Sequence, residues 1–292
     1  MKIYLLTRNP NLYSSKRLLE AAALAGHDVR PIDYMHCNLI IEKGRCQIVY
    51  KGDFLEMPDA IIPRIGATNT FFGSAVIRQF EMMNVFSAVG SDPLLRSRDK
   101  FKCLQLLSMQ GVHMPITAFA NTSNDSTELI AAVGGTPLII KLLEGTQGLG
   151  VLLAETKNGA KSILDAFSEL KAKVIVQEFI KESKGIDVRA FVVNNQVVAA
   201  MKRTAPEGEF RSNIHRGGVG TPIQLNEYEI ETAINSAKAL GLGVAGVDML
   251  ISSKGPMVIE VNSSPGLEGI EGFTGVNVAG KVINYLEESI KM

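Results

Sequence analysis

The chain has 292 residues, 46% of them apolar and 21% charged, with 30 basic residues balancing 30 acidic ones. That length suggests about two domains and a core large enough to need no disulfides. Neutral charge argues against a protein whose main task is to coat nucleic acid or an anionic membrane, and no apolar run reaches the ~20 residues of a membrane span. The start is a short apolar strand followed by polar residues, unlike a secretory signal. Cys37, Cys46 and Cys103 are odd in number and lack CxxC spacing, which reads as reduced structural thiols in a cytoplasmic protein. The four histidines form no zinc pattern.

The first ~95 residues alternate between strand and helix patterns. Residues 2–6 predict a strand. Ser14 or Ser15 predicts the cap of a helix carrying Leu18, Leu19, Ala22 and Ala23, with Gly26 as its stop. Residues 29–32 and 60–63 predict further strands and residues 73–83 a helix. This βαβ style implies a small parallel sheet. The first strand-to-helix turn, residues 7–15, contains no glycine, so it is not a dinucleotide fingerprint.

A new unit begins near Ser97, with a helix carrying Phe101, Leu104 and Leu107 and ending at Gly111. Beyond it the pattern changes to paired strands: residues 138–143 run into a glycine loop and 151–154 return. A helix around Ile163, Phe167 and Leu170 follows, then a strand at 174–180. Strands at 188–193 and 196–201 flank Asn194-Asn195, a strong hairpin signal. Asn226 and Glu229 have capping-box spacing ahead of a helix stopped by Gly241. Strands at 245–251 and 257–262 make another hairpin. Gly266, Gly269, Gly272 and Gly275 read as a glycine-rich loop, and an amphipathic helix carrying Val278, Val282, Ile283, Leu286 and Ile290 closes the chain.

Two features carry chemistry. Lys141 interrupts an apolar strand and is followed by Glu144-Gly145-Thr146-Gln147-Gly148-Leu149-Gly150. Glycines at a hairpin tip let backbone N–H groups face an anion, and a lysine at the base would add a point charge. The alternative is an edge-strand lysine facing water beside a tight turn. The loop is neither a Walker P-loop nor in protein-kinase order. In the last hairpin, Asp248 interrupts one strand while Glu260 and Asn262 alternate onto one face of the other. If a symmetric five-residue loop at 252–256 joins the strands, Asp248 faces Glu260. Two such carboxylates repel, and hard-oxygen ligands suit magnesium or manganese shared with substrate phosphates. Arg189, Lys202, Arg203, Arg211 and Arg216 lie between these features. Residues 141–216 carry twelve basic against nine acidic residues, and 217–292 four against nine. A basic stretch facing an acidic hairpin suits a phosphate-and-metal cleft.

These residues resemble the ATP-grasp superfamily, and within it the RimK family of α-L-glutamate ligases, along the whole chain. The matching stretches are Pro63-Arg64-Ile65-Gly66, Arg78-Gln79-Phe80-Glu81, Arg98-Asp99-Lys100, Lys141 with Glu144-Gly145-Thr146-Gln147-Gly148, Gln177-Glu178-Phe179-Ile180, Asp187-Val188-Arg189, Phe210-Arg211-Ser212-Asn213 and His215-Arg216-Gly217-Gly218. The most specific is Glu260-Val261-Asn262 running into Ser264-Pro265-Gly266-Leu267-Glu268-Gly269-Ile270. The resemblance implies an α/β and α+β chain with an ATP-grasp fold. A Rossmann-like pre-ATP-grasp lobe would span 1–97, a central subdomain with the glycine loop 98–180, and a C-terminal subdomain with the metal site 181–292.

It also implies roles. Lys100 and Lys141, with Gly145, Gln147 and Gly148, would hold ATP phosphates. Glu178 and Phe179 would offer the hinge backbone to adenine, Phe179 standing where a tyrosine is usual. Asp187 would hold the ribose, and Arg211, Ser212 and Asn213 would reach nucleotide and acyl phosphate, with Arg203 and Arg211 catalytic. Asp248, Glu260 and Asn262 would bind Mg2+ or Mn2+. The implied reaction phosphorylates a carboxylate with ATP and lets the amine of L-glutamate displace phosphate, with no enzyme nucleophile. The implied acceptor is the C-terminal tail of ribosomal small-subunit protein six; a coenzyme tail or free glutamate are alternatives, as is a non-catalytic ATP-binding regulator. No nucleic acid or membrane is expected as a direct partner, and the implied assembly is a homo-oligomer, with a tetramer one such form. The N-terminal lobe, including Arg64, is left with two readings: contact with acceptor or substrate, or support of the fold.

Overall fold

The computed structural model describes residues 1–120, 126–143, 150–214 and 217–291. The first lobe holds β1 (Lys2–Leu6), α1 (Tyr13–Leu24), β2 (Asp28–Ile32), β3 (Cys37–Glu42), β4 (Arg45–Tyr50), β5 (Asp53–Phe54), β6 (Ala60–Pro63), α2 (Thr70–Met82) and β7 (Phe86–Ser87). A parallel sheet runs in the order β2-β1-β6-β7. Ile3, Leu5, Leu6, Ile61 and Ile62 are buried in it, as a sheet covered on both faces requires. The antiparallel β3-β4-β5 sheet is an addition that the sequence pattern did not reveal. Its strands mix exposed apolar and charged residues, so no clean alternation marks them.

The serine cap on α1 is not formed. The helix starts at Tyr13 with no side-chain cap bond. Ser15 Oγ instead lies 3.1 Å from Thr7 Oγ1, and Ser14 Oγ accepts from Leu267 N at 2.9 Å, capping a helix of the distant C-terminal subdomain.

α3 (Ser91–Arg98) and α4 (Lys100–Met109) lead into the central subdomain. Asp99 accepts from Lys102 N and starts α4. The subdomain holds β8 (Thr117–Phe119), α5 (Ser126–Ala132), β9 (Leu138–Leu142), β10 (Val151–Ala154), α6 (Lys157–Glu169) and β11 (Val174–Glu178). Its antiparallel sheet has the order β10-β9-β11-β8. Its small core of Ile130, Leu138, Ile140, Ala160, Leu164 and Val176 is separate from the core shared by the rest of the molecule.

The C-terminal subdomain comprises β12 (Ile186–Val193), β13 (Gln196–Thr204), β14 (Val219–Pro222), α7 (Glu227–Leu240), β15 (Val244–Ser252), β16 (Gly255–Asn262), α8 (Leu267–Thr274) and α9 (Val278–Lys291). Its five strands run antiparallel in the order β14-β13-β12-β15-β16. Asn194 and Asn195 take positive φ of 47° and 59° in the two-residue turn between Val193 and Gln196, as a type I′ turn demands. The Asn226–Glu229 capping box is present, and Gly241 ends α7 with φ 76°.

The segment expected to be a glycine-rich loop is largely helical: α8 carries Gly269 and Gly272, and Gly275 ends it with φ 69°. Tight packing favours the helix here. A Cβ on Gly269 would meet Ile214 at 2.7 Å, and the Phe273 ring lies where a Cβ on Gly220 of β14 would stand. Arg17 and Glu271 join α1 to α8 at 3.0 Å, and His27 and Glu287 join the first lobe to α9 at 2.8 Å. No described helix is long and apolar enough to cross a membrane. All three cysteines are free, and burial pushes the Cys37 and Cys103 thiols up to about 12.

Candidate functional site

β15 and β16 bring Asp248 opposite Glu260, with Asn262 opposite Gly246 on the same face. The pairing is the expected one, but its origin differs. A two-residue turn, not a five-residue loop, joins the strands between Ser252 and Gly255, and a bulge at Ile259 adds the residue that restores Asp248 to Glu260.

The repulsion between these carboxylates is met within the protein. β12 lies between β13 and β15, so Asp187 and Arg189, two residues apart, face the same way as Arg203 on one side and Asp248 on the other. Arg203 takes Asp187 bidentately, Nε to Oδ1 and Nη2 to Oδ2 both at 2.6 Å, and reaches Asp248 Oδ2 at 3.0 Å. Arg189 takes Asp248 through Nε at 2.7 Å and Nη2 at 2.6 Å. The side chains of Arg203 and Asp248 are only 3% and 4% exposed. Burial opposes the charge on Asp248, but the two guanidiniums outweigh it and hold the carboxyl below its usual range. Burial likewise opposes the charge on Arg203, and Asp248 and Asp187 outweigh it, so that its pKa is raised.

These residues fit a divalent cation. Asp248, Glu260 and the Asn262 amide offer hard oxygens, as Mg2+ requires. A carboxylate has about four lone-pair sites; the three arginine bonds to Asp248 leave one. Glu260 is exposed. Asn262 Nδ2 faces Gly246 O at 3.5 Å, which leaves the amide oxygen to accept. Among the described residues no three or more His, Cys, Asp or Glu converge on one point. A cation here would therefore complete its shell with substrate oxygens, the usual arrangement for Mg2+ beside phosphates.

Lys141 lies on β9, between β10 and β11, so it is not an edge-strand lysine. Its Nζ donates to Gln177 Oε1 at 2.6 Å, and Gln177 Nε2 donates to Thr117 Oγ1 at 2.8 Å. This relay across three strands aims the ammonium. Burial pushes Lys141 down to about 8, and the nearby Glu260 carboxylate recovers part of that loss. Lys100, in the first turn of α4, donates to Leu143 O at 2.7 Å, where the chain leaves β9. Burial lowers its pKa too, again partly offset by Glu260. Gly145, Gln147 and Gly148 lie outside the described residues. The strands on either side of them pair antiparallel up to Lys141 opposite Val151.

Glu178 ends β11, donating its N–H to Ile116 O at 2.8 Å and accepting from Ile116 N at 3.2 Å; Phe179 follows, half-buried. Asp187, assigned to ribose by resemblance, accepts from Arg203 on the sheet face. Arg211 is clamped by Glu209 through Nε at 2.9 Å and Nη2 at 2.7 Å, and its Nη1 approaches Val151 O of β10 at 3.4 Å. Arg211 in turn holds Glu209 down at about 2. Gly218 N donates to Asn213 O at 3.3 Å, and a Cβ on Gly218 would overlap Ser212 O, so the turn carrying Arg211, Ser212 and Asn213 requires glycine there. The structure thus sets Lys100 and Lys141 within electrostatic reach of Glu260, which pairs with Asp248, and places Arg211 where the C-terminal subdomain reaches β10. Arg189, Gln177 and Thr117 find their partners only through sheet order, whereas Glu209 meets Arg211 two residues along the chain, a spacing visible in the sequence.

The pattern of the RimK pre-ATP-grasp domain matches residues 1–94, and that of the RimK-like ATP-grasp domain matches residues 97–286. A protein of Trichodesmium erythraeum named probable alpha-L-glutamate ligase is 56% identical over 290 residues, covering 99% of this chain and 97% of its own. One of the same name from Marinobacter nauticus is 55% identical over 291 residues, covering 100% and 97%. Among solved structures, the ATP-grasp ligase PsnB, complexed with a phosphomimetic variant of its minimal precursor, Mg and ADP, superposes with a TM-score of 0.77 at 20% identity, covering 100% of this chain and 98% of that one. That likeness speaks for the fold, and the identities above speak for kinship. With a RimK pre-ATP-grasp domain over residues 1–94 and a RimK-like ATP-grasp domain over 97–286, the chain belongs to the RimK-like ATP-grasp family.

Proposed function

We propose that this ATP-dependent carboxylate–amine ligase adds L-glutamate to the C-terminal carboxylate of a protein, the ribosomal small-subunit protein six of the resembled family. It would do so in the cytoplasm, as a homo-oligomer. In this reading residues 1–97 form the pre-ATP-grasp lobe, 98–180 the central subdomain and 181–292 the C-terminal subdomain. The observation that carries it is the approach of Lys100 and Lys141 to Glu260, which pairs with Asp248. The relatives' shared name supplies the donor, glutamate.

The acceptor carboxylate attacks the terminal phosphorus of ATP; an O–P bond forms, the bond to ADP breaks, and an acyl phosphate results. The neutral amine of glutamate then attacks the acyl carbon. Phosphate leaves with the C–O electron pair, the ammonium proton passes to solvent or phosphate, and an amide remains. Lys141 and Lys100 hold phosphate oxygens, Glu178 and Phe179 place the base, and Arg211 faces the transferring phosphoryl group, so catalysis rests on positioning and charge neutralisation. Asp248, Glu260 and Asn262 would hold Mg2+, or Mn2+ in its place, which neutralises charge on the phosphates. Arg203 sets Asp248 and Asp187 and so acts through them. The acceptor is tested by mass spectrometry of the ribosomal protein from cells with and without this enzyme. Loss of added glutamates without the enzyme supports the reading. An unchanged mass, with glutamate added in vitro only to a small molecule or to free glutamate, refutes it.

A further inference from the structure

Arg64 and Arg98 form a pair that the reaction above does not use. Arg64 directly follows β6, at the carboxyl end of a strand in the parallel sheet of the first lobe. Arg98 ends α3. Arg64 Nη1 donates to Pro265 O at 2.8 Å, and Arg98 Nη2 donates to Ile65 O at 2.7 Å. No ion pair to either is present among the described residues. Burial pushes Arg64 down to about 10, and the positive charge of Arg98 lowers it further. Burial also lowers Arg98, with Glu260 offsetting part of the loss. Arg98 Nε and Ser264 Oγ are buried polar atoms without a hydrogen-bond partner.

A guanidinium has five N–H donors, and each of these arginines spends one on a backbone carbonyl. A clasp between lobes needs no more than a lysine or an amide. It does not explain why two half-buried guanidiniums are gathered about Arg64-Ile65 and Pro265 with an orphaned donor at Arg98 Nε, an arrangement costly unless an anion joins it. Elsewhere on the sheet face Arg189 and Arg203 are matched by Asp248 and Asp187. Here no described residue supplies such a match.

The neighbours set the kind of anion. Lys141 and Lys100 are held by Gln177 Oε1 and Leu143 O and have Glu260 as a nearby carboxylate, whereas Arg64 and Arg98 are held by Pro265 O and Ile65 O. The lysines lie at the central sheet, and the arginines lie toward the strand ends of the first lobe, where open α/β sheets take ligands. The planar fork of arginine matches a carboxylate bidentately.

We propose that Arg64 and Arg98 bind a substrate carboxylate, placing the first lobe in the selection of what is ligated. This rests on the ligase reading. The carboxylate belongs either to the incoming amino acid or to the acceptor tail, and the experiment separates them. Arg98→Gln, Arg98→Lys and Arg64→Gln are compared with wild type. Calorimetry measures binding of L-glutamate, and separately of an acceptor-tail peptide, to protein loaded with MgADP; steady-state assays give KM for each substrate.

The expected result is a loss of about ten- to a hundredfold in affinity for one carboxylate ligand in both glutamine variants. A smaller loss is expected in Arg98→Lys, and MgADP affinity stays within about twofold. A loss confined to L-glutamate assigns the pair to the incoming amino acid, and one confined to the peptide assigns it to the acceptor. Unchanged binding of both ligands overturns the proposal, as does a parallel loss of MgADP affinity, which would assign the arginines to phosphate. MgADP binding also reports folding, and if one glutamine variant fails to fold, the other two carry the same reading. Failure of the ligase reading shows separately, as wild-type protein that forms no amide; the binding measurements still decide the fate of the arginine pair.

Discussion

Replacing Arg203 by methionine tests the charge network at the heart of the site. Arg203 is 3% exposed and makes two bonds of 2.6 Å to Asp187, whose side chain is 8% exposed, and one contact of 3.0 Å to Asp248. Methionine fills much of the same space but leaves Asp187 charged, buried and without its guanidinium, while Asp248 keeps Arg189. Removing one partner of a buried pair costs about 3–5 kcal/mol. At about 2–4 °C per kcal/mol for a chain of this size class, the core that the C-terminal subdomain shares with the first lobe should melt about 6–20 °C lower. Chemical denaturation followed by near-ultraviolet circular dichroism, alongside the thermal transition, measures this. Adding Asp187→Leu to the same chain should recover at least half of the loss, because the orphaned charge goes with its partner. A loss below about 1 kcal/mol, or a double variant no better than the single one, would refute the network as a buried, mutually compensating set.

Three further outcomes follow from the same geometry. Glu260→Ala should abolish amide formation and weaken Mg2+-dependent ADP binding while shifting stability by no more than about 1 kcal/mol, because Glu260 is exposed; near-normal turnover would overturn its assignment as a metal ligand. With Mg2+ saturating, ATP affinity should be flat below about 8, where Lys141 is already protonated, and fall by up to about tenfold per pH unit above it, since bound phosphates favour the charged form; calorimetry across that range checks it, and Lys141→Met should remove the slope. Gly218→Ala, whose Cβ would overlap Ser212 O and lie 3.0 Å from Asn213 O, should displace this turn and lower ADP affinity about tenfold in protein that remains folded; unchanged affinity would show that this turn does not meet the nucleotide.

Features governed by neighbours in the chain were legible in the sequence. Asn194-Asn195 turned where expected because both residues tolerate positive φ, and the Asn226–Glu229 box and Gly241 bounded α7 because a cap needs only its own helix. Features settled by distant contacts were not. Ser14 caps α8 across the molecule instead of its own helix, and the glycines after Pro265 form a close-packed helix where a loop was expected. The Asp248–Glu260 pairing came out as expected for a different reason: a two-residue turn plus a one-residue bulge give the same register as the presumed symmetric five-residue loop. The arginines that neutralise Asp248 could not be assigned without the order β13-β12-β15-β16, which places residues from four strands in one row.

In the proposed reaction ATP activates a carboxylate as an acyl phosphate beside Lys100, Lys141, Asp248 and Glu260. Its most direct test supplies an acceptor whose C-terminal carboxylate carries oxygen-18, together with MgATP and L-glutamate, and follows the label by mass spectrometry. One labelled oxygen should appear in inorganic phosphate for each amide formed, with ADP as the nucleotide product. Label found in AMP, or phosphate free of label while amide accumulates, would contradict the account.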